Sequence, residues 1–140
     1  MFCREIMTQD VQFVSPDDTI QVAAEKMRDH AVGFLPVIDE DNRLCGAVTD
    51  RDLTIRALAD AMPVDSLIAG VMTSEIVACS PNDDLAAAEK LMSRHKKSRI
   101  LCVDDGRVVG VISLSDIAQA EGVRKTGKIL RDVTEREART

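Results

Sequence analysis

Two stretches decide the fold: Gly46-Ala47-Val48-Thr49-Asp50-Arg51-Asp52 and Gly110-Val111-Ile112-Ser113-Leu114-Ser115-Asp116. Each reads as a glycine, two apolar residues, a hydroxyl residue, two variable positions and an aspartate. A Ser or Thr followed three residues later by an acid is the pattern of a capping box, which satisfies the amides left open at a helix start. Each stretch is therefore a strand turning into a helix. The same geometry also suits a ligand. Free amides and the helix dipole attract a phosphate, the hydroxyl can donate to it, and the aspartate can accept from a pair of sugar hydroxyls. Gly46 and Gly110 leave room for a ligand or a neighbouring backbone to come close.

Outward from these stretches the chain repeats itself. At an offset of 65 positions Met7-Thr8 falls on Met72-Thr73, Ser15-Pro16 on Ser80-Pro81, Asp18 on Asp83, Ala23 on Ala88, Met27 on Met92, His30 on His95 and Asp39 on Asp104. One deletion in a turn lowers the offset to 64, and Arg43, Gly46 and Asp52 then meet Arg107, Gly110 and Asp116. So many coincidences in one order mark a duplication.

Each copy predicts the same elements. An apolar stretch comes first, Val11–Val14 and then Ile76–Cys79, as a short strand. Ser-Pro with acids behind it predicts a helix start, and Ile20, Ala23, Ala24 and Met27, or Leu85, Ala88, Leu91 and Met92, form one apolar face. Two strands follow around Asp39–Arg43 and around Asp104-Asp105-Gly106. A last helix starts near Thr49 or Ser113. In copy one its apolar positions are Ile55, Leu58, Ala59 and Met62, and Pro63 stops it. The fold class is α/β (α+β), a tandem of β-α-β-β-α units. The expected division is 1–63, 70–121 and a tail at 122–140, where Val123, Ile129, Leu130 and Val133 recur at near-helical spacing. One such unit has a marginal core alone.

Composition narrows the function. The 140 residues carry a formal net charge of -6, no Trp, no Tyr and 3 Phe. That disfavours generic nucleic-acid binding, which draws on basic excess and stacking aromatics. His95-Lys96-Lys97-Ser98-Arg99 is the one basic cluster, a solvated helix end or an attraction for a phosphorylated ligand. No apolar run is long enough to span a bilayer, and the polar start does not read as a signal peptide. Cys3, Cys45, Cys79 and Cys102 show no C-x-x-C pairing and read as reduced thiols of a cytoplasmic protein. His30 and His95 close the first helices, with no spacing that suits a metal. No nucleophile–base pair, Walker loop or metal motif is present, so a binding module is expected rather than an enzyme.

The duplication and the Gly-x-x-Thr/Ser-x-x-Asp signature resemble those of cystathionine-β-synthase (CBS) domain pairs, over about residues 1–121. The resemblance implies two units packed about a pseudo-twofold axis, with clefts that take adenosyl ligands. It makes the chain a regulatory sensor with AMP, ADP or ATP as bound ligand, a homodimer through its second helices and a separate regulated protein as partner. A ligand-free interaction module is the alternative, and a metal- or redox-responsive protein the more distant one. In the first implied cleft Ser113 and Arg99 meet phosphate and Asp116 the ribose, with Ile112 and Ser115 in the loop and Val11, Gln12, Val32 and Gly33 toward the adenine. The second uses Thr49, Arg51 and Asp52 with Ile76, Val77, Lys97 and Ser98. There Phe34 stands in the place of Arg99, and Arg51 is the substitute cation. Leu35-Pro36-Val37 of copy one is matched with Leu101-Cys102-Val103 of copy two.

Overall fold

The computed structural model describes residues 1–138, and the side chains of its last helix as far as Glu135. Residues 139 and 140 of the 122–140 tail, and the side chain of Arg136, lie outside the described residues. The chain forms two compact units. One is continuous, Val11–Ile76; the other joins Met1–Asp10 to the chain from Val77 onward.

The continuous unit holds α1 (Ile20–His30), β1 (Phe34–Ile38), β2 (Leu44–Thr49) and α2 (Asp50–Asp52), which runs straight on into a π-helical turn (Leu53–Leu58). β1 and β2 pair antiparallel from Phe34↔Thr49 to Ile38↔Leu44. The strand expected at Val11–Val14 is reduced to one parallel bridge between Val14 and Val37. Val14 N donates to Pro36 O at 3.0 Å and Ile38 N donates to Val14 O at 2.8 Å. The next rung back would need a donor at Pro36, and proline has no N–H.

The discontinuous unit keeps that strand. β3 (Ala78–Cys79) lies parallel to β4 (Arg99–Asp104), and β4 pairs antiparallel with β5 (Arg107–Ser113). Leu101 N donates to Val77 O at 3.4 Å, which is the rung that Pro36 denies to the other unit. The registers Val14↔Val37 and Cys79↔Cys102 equate Pro36 with Leu101. This corrects the match of Leu35-Pro36-Val37 with Leu101-Cys102-Val103 by one residue. The hairpin turn carries positive φ at Asp105 (52°) and Gly106 (77°), as a two-residue turn between twisted strands requires.

The helices begin later than Ser-Pro suggests. Ser15 and Ser80 build a turn ahead of the helix, with Ser15 N and Ser80 N donating to Asp18 Oδ2 (2.8 Å) and Asp83 Oδ2 (2.9 Å). The caps are Thr19 for α1 and Asp84 for α3 (Leu85–His95). Proline disfavours helical backbone in the residue before it, and the acids close the turn instead of greeting a dipole.

The Met-Thr coincidence has a structural meaning. Thr8 pairs with Val111 through mutual backbone bonds of 2.8 and 3.0 Å, and Thr73 pairs with Ala47 through two of 2.9 Å. Each segment thus leaves its own repeat in sequence and extends the hairpin of the other. That is why residues 1–10 belong to the discontinuous unit.

The cores are aliphatic. Val14, Ile20, Leu35, Val37, Val48, Ile68 and Val71 fill the continuous unit. Leu85, Met92, Ile100, Ile112 and Ile117 fill the other, together with Ile129 and Val133 of a long final helix. α4 (Leu114–Ala120) is followed by that helix, α5 (Val123–Ala138). Of the apolar positions read on the helix after Thr49, Met62 packs against the core. Ala57 is buried, whereas Ile55 is 48 % and Leu58 75 % exposed. The π-helical turn, in which Ala59 N donates to Thr54 O at 3.0 Å, adds a residue to the turn and rotates Leu58 out of the core. Among the described residues no helix is long and apolar enough to cross a membrane.

Candidate functional site

Both signature loops fold as strand-to-helix turns. In the discontinuous unit Ser113 N donates to Asp116 Oδ2 at 2.8 Å, Ser113 Oγ donates to the same oxygen at 3.1 Å, and Asp116 N donates to Ser113 Oγ at 3.3 Å. In the continuous unit Thr49 N donates to Asp52 Oδ2 at 3.0 Å and Asp52 N donates to Thr49 Oγ1 at 3.1 Å. The capping-box reading therefore holds for both, and it consumes only one carboxylate oxygen of each aspartate.

The remaining oxygens differ. Among the described residues Asp116 Oδ1 has no hydrogen bond or ion pair. Asp52 Oδ1 faces the Arg56 guanidinium, with Nε at 3.8 Å. Asp116 is thus the better-placed acceptor for a pair of hydroxyls, since an oxygen already engaged by a cation must give that contact up.

The strand register brings Arg99 to Ser113. They are opposite partners in the β4–β5 ladder, and opposite residues of an antiparallel pair share one face of the sheet. The equivalent pair is Phe34 with Thr49. Ser98 and Gly33 take matching positions beside the loops, with Leu114 N donating to Ser98 O at 3.0 Å and Asp50 N donating to Gly33 O at 2.9 Å. A Cβ on Gly33 would lie 2.6 Å from Asp50 Oδ2, so the chain passes close against that carboxylate.

Arg99, Lys97, Ser115 and Arg51 are exposed, and Ser113, Ser98, Asp116, Thr49 and Asp52 are partly buried. Ile112 is fully buried and packs with Ile100 and Ile117; its side chain belongs to the core, leaving only its backbone for a ligand. Val77 lies in the discontinuous unit with Lys97, Ser98 and the Ser113 loop. Val11, Gln12, Val32, Gly33 and Ile76 lie in the continuous unit with the Thr49 loop. Among those five, Val32 is exposed and the others partly buried.

Gly46 and Gly110 are resolved in favour of a neighbouring chain segment. A Cβ on Gly46 would meet Met72 Sδ and Thr73 O, each at 2.8 Å, and one on Gly110 would meet Met7 Sδ at 2.6 Å. Met7 and Met72 thus roof the glycines at the base of each loop. The repeated Met-Thr pair was the sequence signal for them, though its partner strand was not readable. A groove of about 900 Å³ runs between α3 and α5, lined by Glu89, Lys125 and Ile129 among others, and none of the candidate residues lines it.

Glu89 was also missed. It is 3 % exposed and its Oε1 lies 2.9 Å from Lys125 Nζ of α5. Burial raises the carboxyl above its ordinary range, Glu121 adds to that, and Lys125 opposes it. Nothing in the apolar spacing of α3 distinguishes Glu89 from a surface acid, because its partner lies in the tail.

Comparison with known proteins adds an independent line. The family model described as "CBS domain" matches residues 3–58 and 68–122. The CBS domain-containing protein YhcV of Bacillus subtilis is 39 % identical over 115 residues, covering 82 % of this chain and 81 % of that protein. A crystal structure of Hypoxic Response Protein I with two coordinated zinc ions is 31 % identical with a TM-score of 0.77, covering 87 % of this chain and all of that one. The CBS domain pair of protein MJ0100, in complex with 5'-methylthioadenosine and S-adenosyl-L-methionine, is 26 % identical with a TM-score of 0.76, covering 86 % and 94 %. With two matching segments across nearly its whole length, the chain belongs to the CBS domain family, as a tandem pair.

Proposed function

We propose that the chain is a regulatory sensor that binds an adenosyl ligand, AMP, ADP or ATP in the first instance, chiefly through the loop at Ser113–Asp116. The observation that carries this reading is the unengaged Oδ1 of Asp116, held rigidly by a capping box that uses only Oδ2. Asp116 accepts from the ribose hydroxyls, Ser113 and Ser115 supply hydroxyls to the ligand, and Arg99 pairs with its phosphate. The adenosyl ligands in the MJ0100 pair support the ligand class. The Thr49–Asp52 loop is the weaker half, because Phe34 replaces the arginine and Arg56 occupies Asp52.

Calorimetry tests the reading directly, with AMP, ADP, ATP, S-adenosylmethionine and methylthioadenosine titrated into the full chain. Heat with at least one, abolished in the Arg99→Ala/Asp116→Ala double variant, supports it. Absence of both heat and thermal shift with every ligand sinks it. The exposed Ile55 and Leu58 support the companion proposal of a homodimer through the helix after Thr49. Sedimentation velocity on Leu58→Glu should then show a monomer where the unaltered chain shows a dimer.

A further inference from the structure

Three of the four cysteines meet in the core of the discontinuous unit. Cys79 Sγ lies 3.8 Å from Cys3 Sγ and 3.6 Å from Cys102 Sγ. Cys3 and Cys102 are fully buried and Cys79 is 6 % exposed. Three thiols from three separate stretches of chain, in contact within an aliphatic core, are more than filler. Any one alone would pass as a small hydrophobe.

Two chemistries suit gathered sulfurs, a metal and a disulfide. Three thiolates on a divalent cation leave one net negative charge in an apolar site, which is costly, whereas a disulfide is neutral. Among the described residues no group of His, Cys, Asp or Glu is arranged to hold a metal ion. The disulfide is the better fit, and Cys79 is central to it.

We propose that Cys79 and Cys3 form a reversible disulfide that staples the N-terminal segment to its unit in response to peroxide. The choice of Cys3 over Cys102 follows from the backbone. Cys79 and Cys102 are opposite residues of the parallel β3–β4 ladder. Side chains of such in-register neighbours project side by side at the strand spacing of about 4.8 Å, wider than the Cβ separation of about 3.5–4.5 Å that a disulfide favours, so this pair closes only if the strands draw together. Cys3 sits instead in a 3-10 turn (Cys3–Glu5) near the chain end. That end is seated by Cys3 N donating to Asp83 O, Arg4 N to Pro81 O and Leu85 N to Met1 O, at 2.8 to 2.9 Å, and by Arg4 Nη1 donating to Asn82 Oδ1 at 2.7 Å. A 3-10 turn held by these few bonds, outside the β3–β4 ladder, can shift to accommodate the bond.

The same seat protects the thiols. Burial, with Cys79 beside it, pushes the Cys3 thiol up to about 12. Cys79 is pushed up by its contact with Cys102 and by burial. While the segment is seated both stay protonated and unreactive, since the thiolate is the nucleophile. When the end lifts, Cys79 meets water and ionises. Its thiolate attacks one oxygen of hydrogen peroxide, the O–O bond breaks, water leaves, and Cys79 becomes a sulfenic acid. The Cys3 thiolate then attacks that sulfur, the S–O bond breaks and a second water leaves. Two thiols lose two electrons and one peroxide becomes two waters; a small thiol reductant reverses the bond.

Tryptic peptides of the full chain separate the cysteines: residues 1–4 carry Cys3, 44–51 Cys45, 57–90 Cys79 and 100–107 Cys102. After peroxide treatment of the native protein and blocking of free thiols, mass spectrometry should find 1–4 joined to 57–90. Dithiothreitol should release them, the link should survive Cys102→Ala, and Cys3→Ala should abolish it. The oxidised chain should melt at a higher temperature than the reduced one, because a bond between residues 76 positions apart restricts the unfolded ensemble. A link between 57–90 and 100–107, or oxidation of Cys79 to a sulfinic acid with no link, overturns the proposal.

Discussion

The two units share a β-hairpin, a capped loop and a crossing Met-Thr segment, yet they finish differently. In the discontinuous unit α5 lies over α3 and α4, buries Ile129 and Val133, and pairs Lys125 with Glu89. The continuous unit has no such helix, and Ile55 and Leu58 face solvent. The loops diverge in the same direction. Arg99 lies across from Ser113 and Asp116 keeps an oxygen open, whereas Phe34 lies across from Thr49 and Arg56 engages Asp52. Duplication therefore preserves the frame that positions a loop, while the residues around the frame decide what each loop can hold.

The largest effect tests the covered face against the bare one. Ile129→Ala should cost about 2–4 kcal/mol in urea unfolding, as removal of a buried side chain does, while Leu58→Ala, compared at protein concentrations low enough to dissociate any dimer, should stay within about 0.5 kcal/mol. Equal losses would break the contrast. Next come the caps. Ser113→Ala and Thr49→Ala should each cost about 1 kcal/mol, since both hydroxyls satisfy one helix amide. Under the proposed function only the first should also weaken adenosyl binding strongly, as read by calorimetry.

A smaller effect concerns pH. The folded chain holds a proton on Glu89 more tightly than the unfolded chain does. Over the window from the ordinary carboxylate value up to the raised folded one, the folded state binds more protons, so stability falls as pH rises through it. Glu89→Gln should flatten that part of the melting profile and change stability at neutral pH by no more than about 1 kcal/mol, because burial offsets the pairing with Lys125. The smallest change is Arg56→Ala. Its 3.8 Å contact with Asp52 and its Nη1 hydrogen bonds to Val71 O at 3.3 Å and Met72 O at 3.4 Å are long, and its side chain is half-exposed, so the loss should be below about 0.5 kcal/mol, with any gain appearing as ligand affinity at the Thr49 loop.

Much of this was legible because it is local or periodic. The capped loops follow from residue types three apart, and the order of helices and strands from apolar spacing and turn residues. What escaped depends on partners distant in the chain. Pro36 erased a strand because a missing N–H matters only opposite Gln12. Ala57 escaped as the buried residue after Thr49 because a π-helical turn changes the period that the reading assumed. Cys3, Cys79 and Cys102 looked solitary because their meeting depends on a segment crossing to the other repeat. Glu89 looked like any helix acid until α5 supplied Lys125.

The crossing of the first ten residues has a consequence for how the chain is made. The continuous unit can condense as soon as Ile76 has been synthesised, since all its parts lie in one stretch. Met1–Asp10 precede that unit in the chain but find their strand at Val111 only after both repeats exist. Contacts of such long sequence separation close late and slowly. Met1–Asp10 therefore wait longest for their partners, and during that wait Cys3 is a thiol without its neighbours.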